Sequence, residues 1–184
     1  MIKANIKADL NTFATLSRIN HELRLERTAE GELIAMSPTN WQTGERNGEI
    51  FGQIWLWNRQ KKAGKVFDSS TGFLLPNGAI RSPDVTWISI NHQSALNPEV
   101  AFTLIVPDFV VELVSKSDNF AELSQKMKEY QKQGVRLGWL IDPQTQTVGI
   151  YRANKQDYLL NKPLTLSGED VLVGFVLDLS EIWE

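Results

Sequence analysis

Cysteine is absent from this 184-residue chain, and histidine occurs only as His21 and His92. The first absence excludes a disulfide scaffold and thiolate metal sites. The second excludes a metal centre built from several imidazoles. Long apolar runs are missing too, since no segment approaches the roughly 18 apolar residues of a membrane span. The opening Met1–Lys7 lacks the apolar stretch of a secretory leader. Together these absences predict a soluble, cytoplasmic protein. Charge of one sign is equally scarce: 19 Lys and Arg against 22 Asp and Glu leave a net charge of −3. No global field therefore draws the chain to nucleic acid, and any DNA contact needs a local basic strip or a divalent cation. A carboxylate metal site is itself acidic before its metal binds, so the charge balance weakens a nuclease reading without removing it.

What is present is ordinary globular material, 42% hydrophobic and 22% charged, enough for one core and one domain over residues 1–184. There is no internal repeat, low-complexity stretch or linker. Asn11 is placed to cap a short helix ending at Ile19, with Phe13, Leu16 and Ile19 on one side. Runs 23–27 and 32–36 alternate around Gly31 and predict a β-hairpin. Thr39 or Asn40 can cap a long helix to about Ala63, with Ile50, Phe51, Ile54, Trp55 and Trp57 at helical spacing and Gly64 as its stop. Strands follow over 66–90, then a loop over 91–107. An apolar strand at 109–114 leads into a helix capped by Ser117 or Asp118 and stopped by Gly134. Strands at 137–141 and 148–151 and short ones near 158–160 and 174–178 complete the chain. The strand–helix–strand unit over 109–141 is a crossover, which implies a parallel pair inside a mixed sheet. The expected fold is α/β, or α+β with a mixed sheet flanked by helices, extended by an N-terminal hairpin.

The chemistry concentrates around Glu112. It stands alone among Phe109, Val110, Val111, Leu113 and Val114, and burying an unpartnered carboxylate costs several kcal/mol. Its partner must be a cation, a proton or a metal. Asp84, after Pro83 at the head of another strand, supplies a second acid if the two strands are neighbours. Two carboxylates with retained waters suit magnesium, and the Leu113 carbonyl would be a natural further ligand. Metal-assisted phosphodiester hydrolysis also needs a group to hold the water and steady developing charge. The simplest position for a lysine, two residues after the acid, is occupied by Val114. Lys116 lies just beyond the strand, and Lys126 and Lys128 lie on the following helix. Lys126 borders the apolar stripe of Leu123, Met127 and Tyr130 and is the preferred choice. Glu45 and Glu49 share one face of the long helix at i, i+4, and either could supply a third acid. Of the six tryptophans, Trp55, Trp57, Trp87 and Trp139 read as core, and packing is the simpler role for Trp41 as well.

Taken as a set, Ser82-Pro83-Asp84-Val85, Pro107 through Ser115, Lys126, Tyr130, Gly134-Val135 and Trp139 through Pro143 resemble the Uma-two family. So do the hairpin ending in Met36-Ser37-Pro38-Thr39 and the segment from Phe67 to Phe73. That family consists of restriction-endonuclease-like proteins abundant in cyanobacteria. The resemblance implies the PD-(D/E)XK nuclease fold and magnesium-dependent DNA cleavage, with manganese as a substitute. It implies Asp84 and Glu112 on the metal, Lys126 beside the water, Glu49 as the helical acid, and pairing as a homodimer. Two other functions remain open at this point: a nuclease-fold module that binds DNA or protein without turnover, and a metal-dependent hydrolase of small phosphate esters.

Overall fold

The computed structural model describes residues 2–184, with side chains from Ile6 onward. The first elements are β1 (Ile2–Lys7), α1 (Leu10–Ile19), β2 (Arg24–Arg27), β3 (Glu32–Met36) and α2 (Trp41–Lys61). Then come β4 (Gly64–Asp68), β5 (Phe73–Leu74), β6 (Ile80–Arg81), β7 (Val85–Ser89) and β8 (Phe109–Leu113). After α3 (Phe120–Gln133) follow β9 (Leu137–Asp142), β10 (Thr147–Arg152), β11 (Tyr158–Asn161), β12 (Thr165–Ser167), β13 (Val176–Asp178) and α4 (Ser180–Trp183). Six strands form the central sheet in the order β11-β10-β9-β8-β7-β4. Its one parallel pair is β8–β9, from Phe109↔Leu137 to Leu113↔Ile141, joined by α3 as the crossover. The mixed sheet flanked by helices is therefore the observed architecture.

Each central strand serves two cores because its side chains alternate between faces. On one face Ile50, Ile54 and Trp57 of α2 pack on Val85, Trp87, Phe109, Val111, Leu113 and Trp139. On the other, Leu123, Met127 and Tyr130 of α3 pack on Val110, Val114 and Leu140. Glu112, between Val111 and Leu113 in sequence, thus belongs to the α3 face.

The N-terminal hairpin is larger than expected. It is the middle of a five-stranded sheet, β1-β3-β2-β6-β5, anchored on α1 by Phe13, Ala8, Leu33 and Ile80. Strand β1 pairs with β3, an edge that local patterning did not reveal. Among the described residues no helix is long and apolar enough to cross a membrane.

Several element ends differ from expectation for identifiable reasons. Asp9, not Asn11, caps α1 by accepting a hydrogen bond from the Thr12 N–H at 2.7 Å. Asn40 caps α2 as expected, but Lys62 ends it in the left-handed conformation, φ 53°. Gly64 instead opens β4, where a Cβ would lie 2.0 Å from the Ile88 carbonyl oxygen. Asn119 caps α3, because the Asp118 carboxylate is taken by the Ser115 N–H and hydroxyl. Gly134 ends that helix at φ 109°, as read. Trp57, Trp87 and Trp139 are buried, whereas Trp55 and Trp41 are exposed. Trp55 lies one residue, about 100° of helix rotation, beyond the buried Ile54, and the Arg59 guanidinium sits over its ring.

Candidate functional site

Strands β7 and β8 run antiparallel with Val85 opposite Val111. One further step in that register brings Asp84, just before β7, beside Glu112 on the neighbouring strand. Asp84 is held there by the Leu113 N–H, which donates to Oδ2 at 2.9 Å. The Asn47 amide of α2 donates to Oδ1 at 3.3 Å. From α3, one turn apart, Lys126 and Tyr130 both reach Oε1 of Glu112, at 2.8 Å and 2.9 Å. Lys126 is shared, because its Nζ also lies 2.8 Å from Oε1 of Glu26 on β2.

Behind Glu26 the charges continue. Its Oε1 also accepts from the Ser82 N–H at 2.9 Å, and its Oε2 meets Arg81 Nη1 at 3.1 Å. Arg81 in turn binds Glu129 of α3 at 2.7 Å. A chain of alternating charge therefore joins the N-terminal sheet to the central one. Counting Glu26, Asp84, Glu112 and Glu129 against Arg81 and Lys126, it carries two more acids than bases, and the surplus sits at Asp84 and Glu112.

The electrostatics follow from burial and this arrangement. Burial pushes the Glu112 carboxyl up, with Asp84 and Glu26 adding repulsion and Lys126 opposing, to about 7. Asp84 is raised by burial too, against the pull of the Leu113 N–H, Lys126 and Arg24. For Lys126, burial disfavours the ammonium, but Glu112 and Glu26 outweigh it and hold its pKa above the ordinary value. Glu26 is equally buried, yet Lys126 and Arg81 keep it below the usual carboxylate range. The network thus has one firmly charged base between a firmly ionised acid and an acid that readily holds a proton.

A cavity of about 350 Å³ opens over the acid pair. It is lined by Arg24, Asn47, Asp84, Glu112, Lys116 and Lys126, among others. Its donors suit a hard divalent cation. Glu112 receives both its contacts on Oε1, which leaves Oε2 free among the described residues. Asn47 Oδ1 is buried without a partner. No cluster of three or more His, Cys, Asp or Glu side chains placed for a metal occurs among the described residues. The protein would then contribute two carboxylates and leave other positions to water, a common condition for magnesium.

Asp84, Glu112, Leu113 and Lys126 are therefore brought together. Glu49 is not. Its carboxylate accepts a hydrogen bond from Gln53 at 3.0 Å, and it lines a separate cavity with Trp41, Glu45 and Glu181. The reason is helical: Asn47 faces the acid pair, and two residues further along α2 is about 200° around the axis. Lys116 stands at the cavity rim, 3.5 Å from Gln42 Oε1, and Lys128 is exposed. Residues not anticipated are Glu26, Arg81 and Asn47. The only sequence signal for Glu26 is its place in an alternating strand, where a charge ordinarily marks the solvent face.

A solved structure of a protein from Anabaena variabilis, described as "a putative nuclease belonging to DUF820", shares this fold with a TM-score of 0.82. The likeness covers 96% of this chain and 97% of that one at 19% identity, a level that establishes the fold. No curated protein matches the chain. The pattern of the Uma2 family, described as "Putative restriction endonuclease", matches residues 10–180. With nearly the whole chain matched and the acid pair and lysine assembled at one cavity, the protein belongs to the Uma2 family.

Proposed function

We propose that this protein is a divalent-metal-dependent endonuclease that hydrolyses DNA phosphodiester bonds. The observation that carries this reading is the convergence of Asp84, Glu112 and Lys126 at one cavity, with two acids on neighbouring strands and a lysine 2.8 Å from the second. Asp84 and Glu112 would hold magnesium or manganese, with the Leu113 carbonyl as a further oxygen ligand. A metal bound there supplies Lewis acidity toward the phosphate and a water of lowered pKa.

The chain's own groups do the rest. Lys126 keeps its proton, so it acts as a hydrogen-bond donor and fixed positive charge, orienting the attacking water and countering charge that develops on the phosphate. It is not the base that removes the water's proton. The Leu113 N–H and Asn47 amide fix the Asp84 carboxylate, and Tyr130 and Lys126 fix Glu112 through one oxygen. Pre-organisation of this kind lowers the cost of reaching a productive geometry.

The test is cleavage of supercoiled, linear and single-stranded DNA with magnesium or manganese. We expect cutting by the wild type, at least 100-fold less by Glu112→Gln and Asp84→Asn, and at least tenfold less by Lys126→Met. A wild type that cuts none of these forms with either metal would sink the proposal and favour a nuclease-fold module that binds without turnover.

A further inference from the structure

We propose that Arg24 is a clamp for a substrate phosphate, with Lys116 as the second contact in the same cavity. This rests on the nuclease reading for the kind of anion, but the observations that carry it are separate. Three cations line the cavity over Asp84 and Glu112: Arg24, Lys116 and Lys126. Lys126 is committed internally, held between Glu26 and Glu112. The other two are available.

Arg24 opens β2 opposite Met36 and is half-buried in the cavity wall. Its Nε is buried and has no hydrogen-bond partner, and among the described residues it forms no ion pair. The other arginines of this sheet behave differently. Arg27 donates to the carbonyls of Ala8, Thr28 and Gly78, and Arg81 is bound by Glu26 and Glu129. A buried guanidinium N–H without an acceptor is costly and rare in a folded protein. An anion entering the cavity would supply the missing acceptor. The field of Arg24 already reaches the acid pair, where it pulls the Asp84 carboxyl down against burial.

Lys116 lies in the β8–α3 loop, exposed, with a single long contact to Gln42 at 3.5 Å. The neighbouring Asp118 also lines the cavity, but among the described residues it forms no ion pair with Lys116, its Oδ2 accepting instead from the Ser115 N–H and hydroxyl. A guanidinium offers paired donors that match phosphate oxygens, and an ammonium at the rim adds a point charge. Both cations line the cavity that holds the acid pair, so they would grip the strand beside the phosphodiester being cut. Binding through about two phosphates implies a shallow salt dependence, with a log–log slope of about −1.4 for a single strand and −1.8 for duplex.

The experiment measures anisotropy of a labelled 12-nucleotide DNA, single-stranded and duplex in separate arms, with calcium present to allow binding without cutting. Wild type, Arg24→Gln and Lys116→Gln are compared over a range of potassium chloride, with melting temperatures as the folding control. Arg24→Gln is expected to weaken binding at least tenfold and to flatten the slope by about one phosphate's worth, roughly 0.7 to 0.9. Lys116→Gln is expected to weaken it at least threefold. Loss in either arm supports the clamp and identifies which strand state supplies the phosphate. Wild-type affinity and slope for a folded Arg24→Gln in both arms would overturn it, as would a wild type that binds neither DNA. Arg24-dependent binding by a protein that never cuts leaves the clamp standing and the nuclease reading refuted. Cutting with Arg24-independent binding does the reverse.

Discussion

Lys126 is the residue on which the charge network turns, because it separates two buried carboxylates that would otherwise face each other. Replacing it with Met removes the cation and leaves Glu26 and Glu112 without their common partner. A loss of about 3–5 kcal/mol is expected for one broken buried pair, read as the shift in urea midpoint at pH 8. An unchanged midpoint would mean that the network contributes nothing to folding. Glu112 makes a second prediction. Its folded pKa of about 7 lies above its ordinary 4.5, so the folded state binds the proton more tightly than the unfolded one. That stabilisation is complete below pH 4.5 and is lost as pH rises through 7. Asp84 has the same sign, whereas Glu26, held low, would weaken the fold only at more acidic pH. The metal-free protein should therefore melt at a higher temperature at pH 6 than at pH 8, and Glu112→Gln should flatten that difference. On the proposed metal-binding reading an ion displaces the same proton, so manganese affinity measured by calorimetry should rise about tenfold per pH unit below 7 and level off above it.

At the scale of elements, the site depends on strands held in register more than on any loop. Strand β4 closes the central sheet at its edge and pairs with β7 from Gly64↔Ser89 to Asp68↔Val85, the residue next to Asp84. Gly64 is required there by close approach, since a Cβ would come within 2.0 Å of the Ile88 carbonyl oxygen. Backbone cannot swing aside as a side-chain tip can. Gly64→Ala is expected to destabilise the protein by about 2–3 kcal/mol, measured by denaturant titration. A loss below about 0.5 kcal/mol, typical of an exposed position, would show that β4 does not pack as described. Helix α3 contributes differently, by presenting Lys126 and Tyr130 one turn apart while Leu123 and Met127 bury its apolar stripe. The stripe sets the rotation of the helix, and the rotation sets where the ammonium arrives.

At the scale of the whole molecule, the two large sheets both contribute to the charge network and the cavity. The five-stranded N-terminal sheet supplies Glu26, Arg81 and Arg24, and the central sheet supplies Glu112. Two ion pairs, Glu26–Lys126 and Arg81–Glu129, join the first sheet to α3, which packs on the second. Such coupling predicts a single cooperative transition. Urea unfolding followed by tryptophan fluorescence, which reports Trp57, Trp87 and Trp139 of the central core, should coincide with unfolding followed by far-ultraviolet circular dichroism. An earlier dichroism phase, with the N-terminal sheet melting first, would show that the ion pairs do not couple the sheets.

Much of this was written locally in the chain. The near-continuous apolar run across 109–114 announced a buried strand with one misplaced acid, and helical spacing over Leu123, Met127 and Tyr130 put Lys126 at the border of a core stripe. Patterns of this kind are legible because burial of one face acts on near neighbours in sequence. Glu26 was not legible, since the alternation of Arg24 through Arg27 has the form of a solvent-facing strand until a second sheet lies against it. Nor was the choice of Asn47 over Glu49, which depends on the rotation of α2 against β7 and β8. Strand order, helix rotation and the meeting of two sheets are set by contacts between segments tens of residues apart. Those contacts turned two acids and a lysine, each readable alone, into one cavity with a shared lysine and an arginine Nε left unpartnered in its wall.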